Sequence, residues 1–443
     1  MRLALVSLLV LGLMTPVSAP AQECNWQVGW VKVENAKAGK KNWDSDVVMR
    51  FSADFTRRKE VKRVEGYFDQ TSIGCGQSAS LKIVGAKSAD ISLYRIGYYK
   101  GAGARLITTI KNAKQITATQ STPPGQYLAK LKSPGYRSTF VPLVITGQVP
   151  SDVTFVSSVL TWQAYNQWGG ESLYKGADGQ RETRAISVSL DRPYDGDGSG
   201  QFRYMEQPLV QLMEQLNLDI NYLTDIDLDK APEINSASIV LGGHSEYWTQ
   251  AMRDVVEKEI YEGTNLLVFG GNTAYAKTFL IDRTMNERIP YRDINQPESL
   301  FMGSQFFAVG IKKDLEVQAG QSWPFDTLGK AGKIKGIYGY EADTAMGTSG
   351  PGVEVLARST ISPTEKGFVA MSTYYAAPSG AGVLNLGTNA WVCAMANRCP
   401  WGHSFDAKTM QQIRKVTTAI IEQAGREKIG NWRVPQIDIP TRP

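Results

Sequence analysis

An imidazole, a carboxylate and a phenol lie within four residues of one another in the segment "GGHSEYW", residues 242–248. They belong to His244, Glu246 and Tyr247, and His244 is one of only two histidines in the 443-residue chain. Imidazoles and carboxylates transfer protons near neutral pH, and a phenolate oxygen binds hard metal ions. We therefore predict that His244 and Glu246 are catalytic residues, with Glu246 alternatively a residue that orients a metal ligand.

A second segment, "NLLVFGGN", also ends in two glycines and a polar residue, Asn272. Many sheet enzymes place a serine or cysteine nucleophile at such a turn between a strand and a helix. Asn272 cannot attack a carbonyl carbon, and the nearest serine, Ser245, lacks the surrounding nucleophile pattern. The sequence therefore argues against a serine or thiol hydrolase, and Asn272 is predicted to be a catalytic residue of the same site as His244.

Tyrosines close to carboxylates recur at the predicted strand ends, and they give two interpretations. In one, their phenolates and a carboxylate form an all-oxygen site, a ligand set that suits ferric iron. In the other, they are packing residues whose hydroxyls form hydrogen bonds, as is usual for buried tyrosine. Two histidines are too few for a multi-histidine zinc site. The residues concerned are Tyr165, Tyr204, Tyr247 and Glu341.

Residues 22–148 are predicted to form a β-sandwich. Short apolar runs such as "ASLKIVG", "DISLYRIGYY" and "TFVPLVIT" are separated by Gly, Pro, Asn and Ser at nearly regular spacing. This pattern indicates about seven strands and shows no helical periodicity.

Residues 149–443 are predicted to form an open, mostly parallel α/β sheet. Apolar strands such as "SIVLGG" alternate with amphipathic helices such as "TQAMRDVVEKEIYEG". Residues 283–335 lack a clear period and are interpreted as an insertion. Ligands of such sheets collect outside the carboxyl ends of the strands. His244 and Asn272 each follow a strand, so both are expected at that edge.

The first 21 residues have the pattern of a cleaved export signal, with Arg2, an apolar run and small residues before the cleavage point. The run is too short for a permanent membrane span. Four cysteines in an exported chain predict two disulfides, Cys24–Cys75 and Cys393–Cys399. A net charge of +5 is too small to indicate a nucleic-acid partner. We expect a periplasmic or secreted protein.

Several ordered segments resemble the large (β) subunit of N,N-dimethylformamidase and its bacterial relatives. The resemblance extends over nearly the whole mature chain. It is carried by "YRIGYYKGAGAR" (94–105), "TWQAYNQWGGESLY" (161–174), "GGHSEYWTQAMRD" (242–254), "GGNTAYA" (270–276), "GYEAD" (339–343) and "NLGTNAW" (385–391).

The resemblance implies an immunoglobulin-like sandwich followed by a domain similar to class I glutamine amidotransferases without their cysteine. It also implies an amide hydrolase with one iron ion held by two tyrosines and a glutamate. Carried over to this chain, Tyr247 is the first expected ligand and Glu341 the second. Tyr204 is the expected third ligand, and Tyr165 is its competitor.

The sequence is thus interpreted as an exported hydrolase that cleaves the C–N bond of a small amide at a ferric site. "AYAKTF" stands where relatives commonly carry Trp and Arg, and the chain has an export signal, so the resemblance does not identify dimethylformamide as the substrate. The alternative is a non-catalytic periplasmic binding or envelope protein that retains the fold. A homo-oligomer and a complex with a small subunit are both compatible with the sequence.

Overall fold

The structure is a computed structural model. It describes residues 24, 26–50, 62–147, 150–318, 323–345, 350–359 and 369–441. The predicted export signal, residues 1–21, lies outside the described residues.

The N-terminal region contains one short helix and eight strands among its described residues. They are α1 Trp30–Asn35, β1 Glu65–Phe68, β2 Ser72–Ile73, β3 Ser78–Val84, β4 Asp90–Ile96, β5 Ala104–Ile110, β6 Gln115–Thr117, β7 Gly125–Lys132 and β8 Thr139–Ile145.

These strands form two sheets around a separate apolar core. One sheet has the order β2-β8-β7-β4-β5 and the other the order β1-β3-β6. Inward side chains from both sheets, including Phe68, Leu81, Ile91 and Leu131, pack together and are buried. The prediction of a β-rich region is confirmed, but the expectation that it holds no helix is wrong at α1. The apolar residues Trp30 and Val31 bury one face of that helix.

The remaining chain alternates strands and helices. They are β9 Ser151–Ser157, α2 Val159–Tyr165, β10 Ser187–Ser189, α3 Gly200–Met205, α4 Gln207–Gln215, β11 Ile220–Thr224, α5 Asp225–Leu228, β12 Ser236–Leu241, β13 Tyr247–Trp248, α6 Gln250–Glu262, β14 Asn265–Val268, β15 Ala276–Ile281, β16 Thr284–Pro290, α7 Ser299–Met302, β17 Gln305–Val309, β18 Lys313–Val317, β19 Lys333–Tyr338, β20 Glu341–Thr344, β21 Glu354–Ser359, β22 Met371–Ala376, β23 Gly382–Asn385, α8 Ala390–Ala394 and α9 Ala407–Ala424.

A nine-stranded sheet dominates this region, with the order β11-β9-β12-β14-β23-β22-β21-β18-β19. The pairings from β11 to β23 are parallel. The pairings from β23 to β19 are antiparallel. The prediction of a mostly parallel sheet therefore holds for only half of the sheet. The chain is mixed α/β, and the immunoglobulin-like and amidotransferase-like assignments stay predictions.

The range predicted as an insertion, 283–335, contains strands of three sheets. Strand β16 lies in a four-stranded sheet with the order β10-β16-β15-β13, and β17 pairs with β20. Strand β18 is part of the nine-stranded sheet. These strands are only partly buried, which explains why the sequence showed no clear apolar alternation there.

The helix boundaries around the predicted site follow local chemistry. Thr249 caps α6 by accepting a hydrogen bond from the backbone N–H of Met252, and Gly263 ends that helix in the left-handed conformation. Asp406 caps α9 by accepting a hydrogen bond from the N–H of Thr409.

A buried ionic network docks the β-rich region onto the larger region. Arg95 on β4 donates to both carboxylate oxygens of Glu214 on α4, at 2.5 and 2.9 Å, and both side chains are fully buried. Tyr222 and Asn35 also donate to Glu214. A Cβ on Gly97 would collide with the Glu214 carboxylate, so the absence of a side chain at this position leaves room for the carboxylate.

Both predicted disulfides are confirmed. Cys24 is bonded to Cys75, and Cys393 is bonded to Cys399. Within the described ranges, no helix combines the length and the apolar character that crossing a membrane requires.

Candidate functional site

The parallel strands β12 and β14 end side by side, and glycines let the chain that follows them pass closely. A Cβ on Gly270 would lie 2.8 Å from the carbonyl oxygens of Gly242 and Gly243. Only glycine at position 270 therefore permits this approach. As a result, the segment beginning at His244 and the turn bearing Asn272 meet at the carboxyl edge of the sheet.

The Glu246 carboxylate is the centre of the site. It is completely buried. Tyr165 donates its hydroxyl to Oε2 at 2.6 Å, and Tyr174 donates to Oε1 at 2.5 Å. Arg288 donates to the same Oε1 at 3.1 Å. The oxygen atoms of two phenols thus lie at hydrogen-bond distance from one carboxylate.

Tyr165 and Tyr174 come from opposite ends of one loop. Tyr165 is the last residue of α2, and Tyr174 follows nine residues later. Their rings stack with centroids 4.1 Å apart and an interplanar angle of 19°. Burial, followed by the negative charge of Glu246, raises the pKa of both phenols well above its usual value of 10. Both hydroxyls are therefore protonated in the metal-free protein.

His244 links Glu246 to a second carboxylate, Glu341. Its Nε2 lies 3.1 Å from Glu341 Oε2 and 3.6 Å from Glu246 Oε2. Burial opposes protonation of His244, but the charge and hydrogen bond of Glu341, together with the charges of Glu246 and Asp343, outweigh burial and raise the pKa of the imidazole. Among the described residues, His244 Nδ1 has no hydrogen-bond partner although it is buried.

Two amides hold Glu341 at the start of β20. Asn272 and Asn389 donate from Nδ2 to its Oε2, at 3.2 and 3.0 Å. Asn272 adopts a left-handed backbone conformation, with φ 56°, which asparagine tolerates well. Its backbone N–H donates to Asp343, whose pKa burial raises to about 6.

Tyr247 lies beside the cluster and contacts a cation. Arg288 donates from Nε to the Tyr247 hydroxyl at 2.8 Å. Burial, and then the charge of Glu246, raises the pKa of Tyr247 above its usual value, although Arg288 opposes this. The Tyr247 backbone N–H donates to the Thr161 hydroxyl, which fixes β13 against α2.

Tyr204 has a different electrostatic environment. It lies on α3 and is half-buried. Burial raises the pKa of its hydroxyl, and the charges that act on it are Asp197, Arg203 and Arg398. By contrast, the charges of Glu246 and Glu341 act on Tyr165.

The structure therefore brings five of the predicted residues into one cluster: His244, Glu246, Tyr247, Asn272 and Glu341. Tyr165, the predicted competitor of Tyr204, belongs to it as well. The sequence prediction missed Tyr174 and Arg288. Tyr174 is the last residue of the segment "TWQAYNQWGGESLY", and its spacing from Tyr165 was the only sequence feature that could have indicated its role. Arg288 lies in the range that showed no period.

The donor atoms of the cluster fit a hard metal ion. Glu246, Tyr165 and Tyr174 supply a carboxylate and two phenol oxygens, which suit a ferric ion. Among the described residues, no group of three or more His, Cys, Asp or Glu side chains is arranged so that it could hold a metal ion. Tyrosine oxygens would therefore have to complete any such site. Asn272 Oδ1 is buried and accepts no hydrogen bond from a described residue, which leaves an acceptor for a bound molecule.

The chain was also compared with known proteins. Residues 90–401 match a family model described as "N,N-dimethylformamidase beta subunit-like, C-terminal". This range covers strands β4 to β8 of the β-rich region and every residue of the cluster. A search of curated proteins gave no match.

Proposed function

Because the chain belongs to the N,N-dimethylformamidase beta subunit-like family, we propose that it hydrolyses the C–N bond of a small amide at a mononuclear ferric site. The observation that carries the proposal is the convergence of two phenols and one carboxylate, Tyr165, Tyr174 and Glu246, at hydrogen-bond distance.

The geometry favours Tyr165, Tyr174 and Glu246 as metal ligands over the set expected from the sequence, Tyr247, Glu341 and Tyr204. Arg288 donates to the Tyr247 hydroxyl at 2.8 Å but reaches Glu246 and Tyr174 only at 3.1 and 3.4 Å, so its positive charge opposes a second cation most strongly at the Tyr247 oxygen. Glu341 Oε2 is engaged by two amides and lies close to His244. Glu246, in contrast, meets two phenols whose protons a metal ion can replace.

When bound, the ferric ion would act as a Lewis acid on the amide carbonyl and on water. The protein's own residues would manage the protons. Glu341 is held through Oε2, and its Oε1 makes no hydrogen bond with any described residue, so this oxygen is available to accept a proton from water. His244 lies 3.1 Å from the same carboxylate and can pass a proton to the leaving amine.

Asn272 and Asn389 fix the orientation of Glu341 in this scheme. A carboxylate held by two amides loses little rotational freedom when it transfers a proton. The catalytic role expected for Asn272 is thus a positioning role, whereas His244 keeps a direct one. Glu246 is assigned as a metal ligand and not as a proton shuttle, because Tyr165, Tyr174 and Arg288 already donate to its two oxygens.

We also propose that the protein works outside the cytoplasm. Two disulfides support this location, because such bonds persist in oxidising compartments. An epitope-tagged full-length chain found only in the cytoplasmic fraction would contradict the proposal.

Reconstitution of the purified chain with ferric iron tests the function. We expect about one iron per chain, a visible tyrosinate-to-iron absorption band, and amide hydrolysis in proportion to iron content. Tyr165→Phe and Tyr174→Phe should each weaken the band, because each removes one of two tyrosinate ligands and little volume, and the double variant should lose it. Tyr204→Phe, the matched control, should keep it.

Two other results would contradict the proposal. A band weakened in Tyr204→Phe but unchanged in Tyr165→Phe would return the ligand set to the one expected from the sequence. Colourless protein that takes up no iron and cleaves no amide would favour the non-catalytic binding or envelope protein.

A further inference from the structure

Arg288 is a cation at the edge of the cluster that the proposed chemistry does not use. It lies on β16, which pairs with β15 in an antiparallel hairpin. Its Nε donates to Tyr247, and its Nη2 donates to Glu246 and, at 3.4 Å, to Tyr174. Arg288 therefore contacts three members of the cluster at once.

Aromatic rings fix the orientation of this guanidinium. Its central carbon lies 5.4 Å from the ring centroid of Tyr174, 5.9 Å from that of Tyr247 and 5.2 Å from that of Tyr275. Within the described chain, none of the hydrogen bonds of Arg288 uses Nη1. The side chain keeps 14% of its surface exposed, whereas that of Glu246 has none. One edge of a fixed guanidinium thus remains accessible.

The charges around Arg288 explain what this edge can bind. In the metal-free protein Glu246 is its counterion, at 3.1 Å. Two phenolates and the Glu246 carboxylate would together balance a trivalent ion. His244 and Glu341 pair with each other. The positive charge of Arg288 is then left without a counterion inside a site that is largely shielded from water.

We propose that Arg288 anchors a carboxylate of the substrate, so that the site takes amides that carry a carboxylate, such as N-acyl amino acids. This proposal rests on the proposed function and names its substrate class. A planar guanidinium binds a carboxylate through parallel hydrogen bonds, and an orientation fixed in advance lowers the entropy cost of binding.

Binding of a matched ligand pair to the full-length protein loaded with gallium(III), a trivalent ion that would take the same oxygen ligands and so leave Arg288 without its counterion, tests the proposal by titration calorimetry. N-Formylglycine carries the carboxylate, and N-formylglycinamide replaces it with a neutral amide. The wild-type protein should bind N-formylglycine at least about tenfold more tightly than N-formylglycinamide. Arg288→Met should abolish this preference, and Arg288→Lys should keep part of it, since lysine retains the charge without the planar fork.

Arg283→Met is the matched control. Arg283 lies in the turn of the same hairpin, pairs with Asp191 and donates to the Phe68 carbonyl, so its loss removes one positive charge without touching the site. This variant should keep the preference for N-formylglycine. Equal binding of both ligands by the wild type, or an unchanged preference in Arg288→Met, would overturn the proposal.

Hydrolysis by the iron-loaded protein separates this proposal from the proposed function. The wild type should show a KM for N-formylglycine about tenfold lower than for N-formylglycinamide, and Arg288→Lys should narrow this ratio. Comparing two ligands within one variant removes the effect of reduced folding. Hydrolysis of both amides with equal KM would overturn the carboxylate anchor alone, whereas hydrolysis of neither would overturn the proposed function.

Discussion

The Glu246 carboxylate shows how a single buried residue can organise a site. It is inaccessible to solvent, and Tyr165, Tyr174 and Arg288 all donate to its two oxygens. A buried carboxylate without such partners would cost several kcal/mol. The hydrogen bonds that satisfy Glu246 are therefore also those that gather the phenols.

His244, Glu246 and Asn272 could be predicted as neighbours because a general rule applies to them. Each follows a strand of a parallel pair, and such strand ends share one edge of the sheet. No comparable rule applied to Tyr174, which lies in a loop, or to Arg288, which comes from a half-exposed hairpin. Tertiary packing alone decides where those two side chains lie.

A second buried acid, Glu206, provides a prediction about stability. Burial raises its pKa from 4.5 to about 8, and its Oε1 accepts hydrogen bonds from Ser158 and Trp162. Between these two pH values the unfolded chain loses a proton that the folded chain keeps, so stability falls as the pH rises.

The variant Glu206→Gln should lack this pH dependence, because its amide stays neutral. We expect it to exceed the wild type in unfolding free energy by on the order of 4 kcal/mol above pH 8, and to match it near pH 4. Denaturant unfolding between pH 4 and 9 measures this. Glu422→Gln, an exposed control on α9, should follow the wild type. Parallel curves for Glu206→Gln and wild type would contradict the account.

At the scale of elements, apolar runs bounded by glycines and caps identified the parallel strands and the long helices. The second half of β12 and all of β14 are buried, and each strand ends in an uninterrupted apolar run, residues 239–241 and 266–268. Strands β16 and β18 are mostly half-buried and carry charged residues. Their pattern resembles that of a loop, which is why neither β16 of the four-stranded sheet nor β18 of the large sheet was predicted.

The motif "YRIGYYKGAGAR", one of the segments that resemble the family, has a structural role in this protein. Arg95 and Tyr99 from this motif join the network around Glu214, and Gly97 makes room for it. The motif thus docks strand β4 onto helix α4 and contributes no side chain to the described contacts of the Glu246 cluster.

Breaking this network at one partner should be costly. Glu214→Leu leaves Arg95 buried without its counterion and is expected to lower the unfolding free energy by about 3–5 kcal/mol. The double variant Arg95→Met/Glu214→Leu should recover much of that loss. Glu262→Gln, which removes an exposed pair with Lys258, should leave the denaturation midpoint nearly unchanged. A double variant less stable than Glu214→Leu would contradict the buried-charge explanation.

At the scale of the whole molecule, two apolar cores support the edge of the sheet that carries the Glu246 cluster. The smaller core lies between the two N-terminal sheets, and the larger core extends from Trp30 and Tyr94 to the helices that cover the nine-stranded sheet. The β-rich region therefore packs against the same body that carries Glu246. Alternation of strands and helices indicated the larger region, but the antiparallel extension and the small sheet that carries Arg288 could not be predicted.

The most direct test of the central claim is anomalous diffraction at the iron absorption edge, using crystals of the iron-loaded protein. The account predicts one strong peak within coordination distance of the Tyr165 and Tyr174 hydroxyl oxygens and the Glu246 carboxylate. A peak bound instead by Tyr247 and Glu341, or no peak at the cluster in protein that hydrolyses amides, would contradict it.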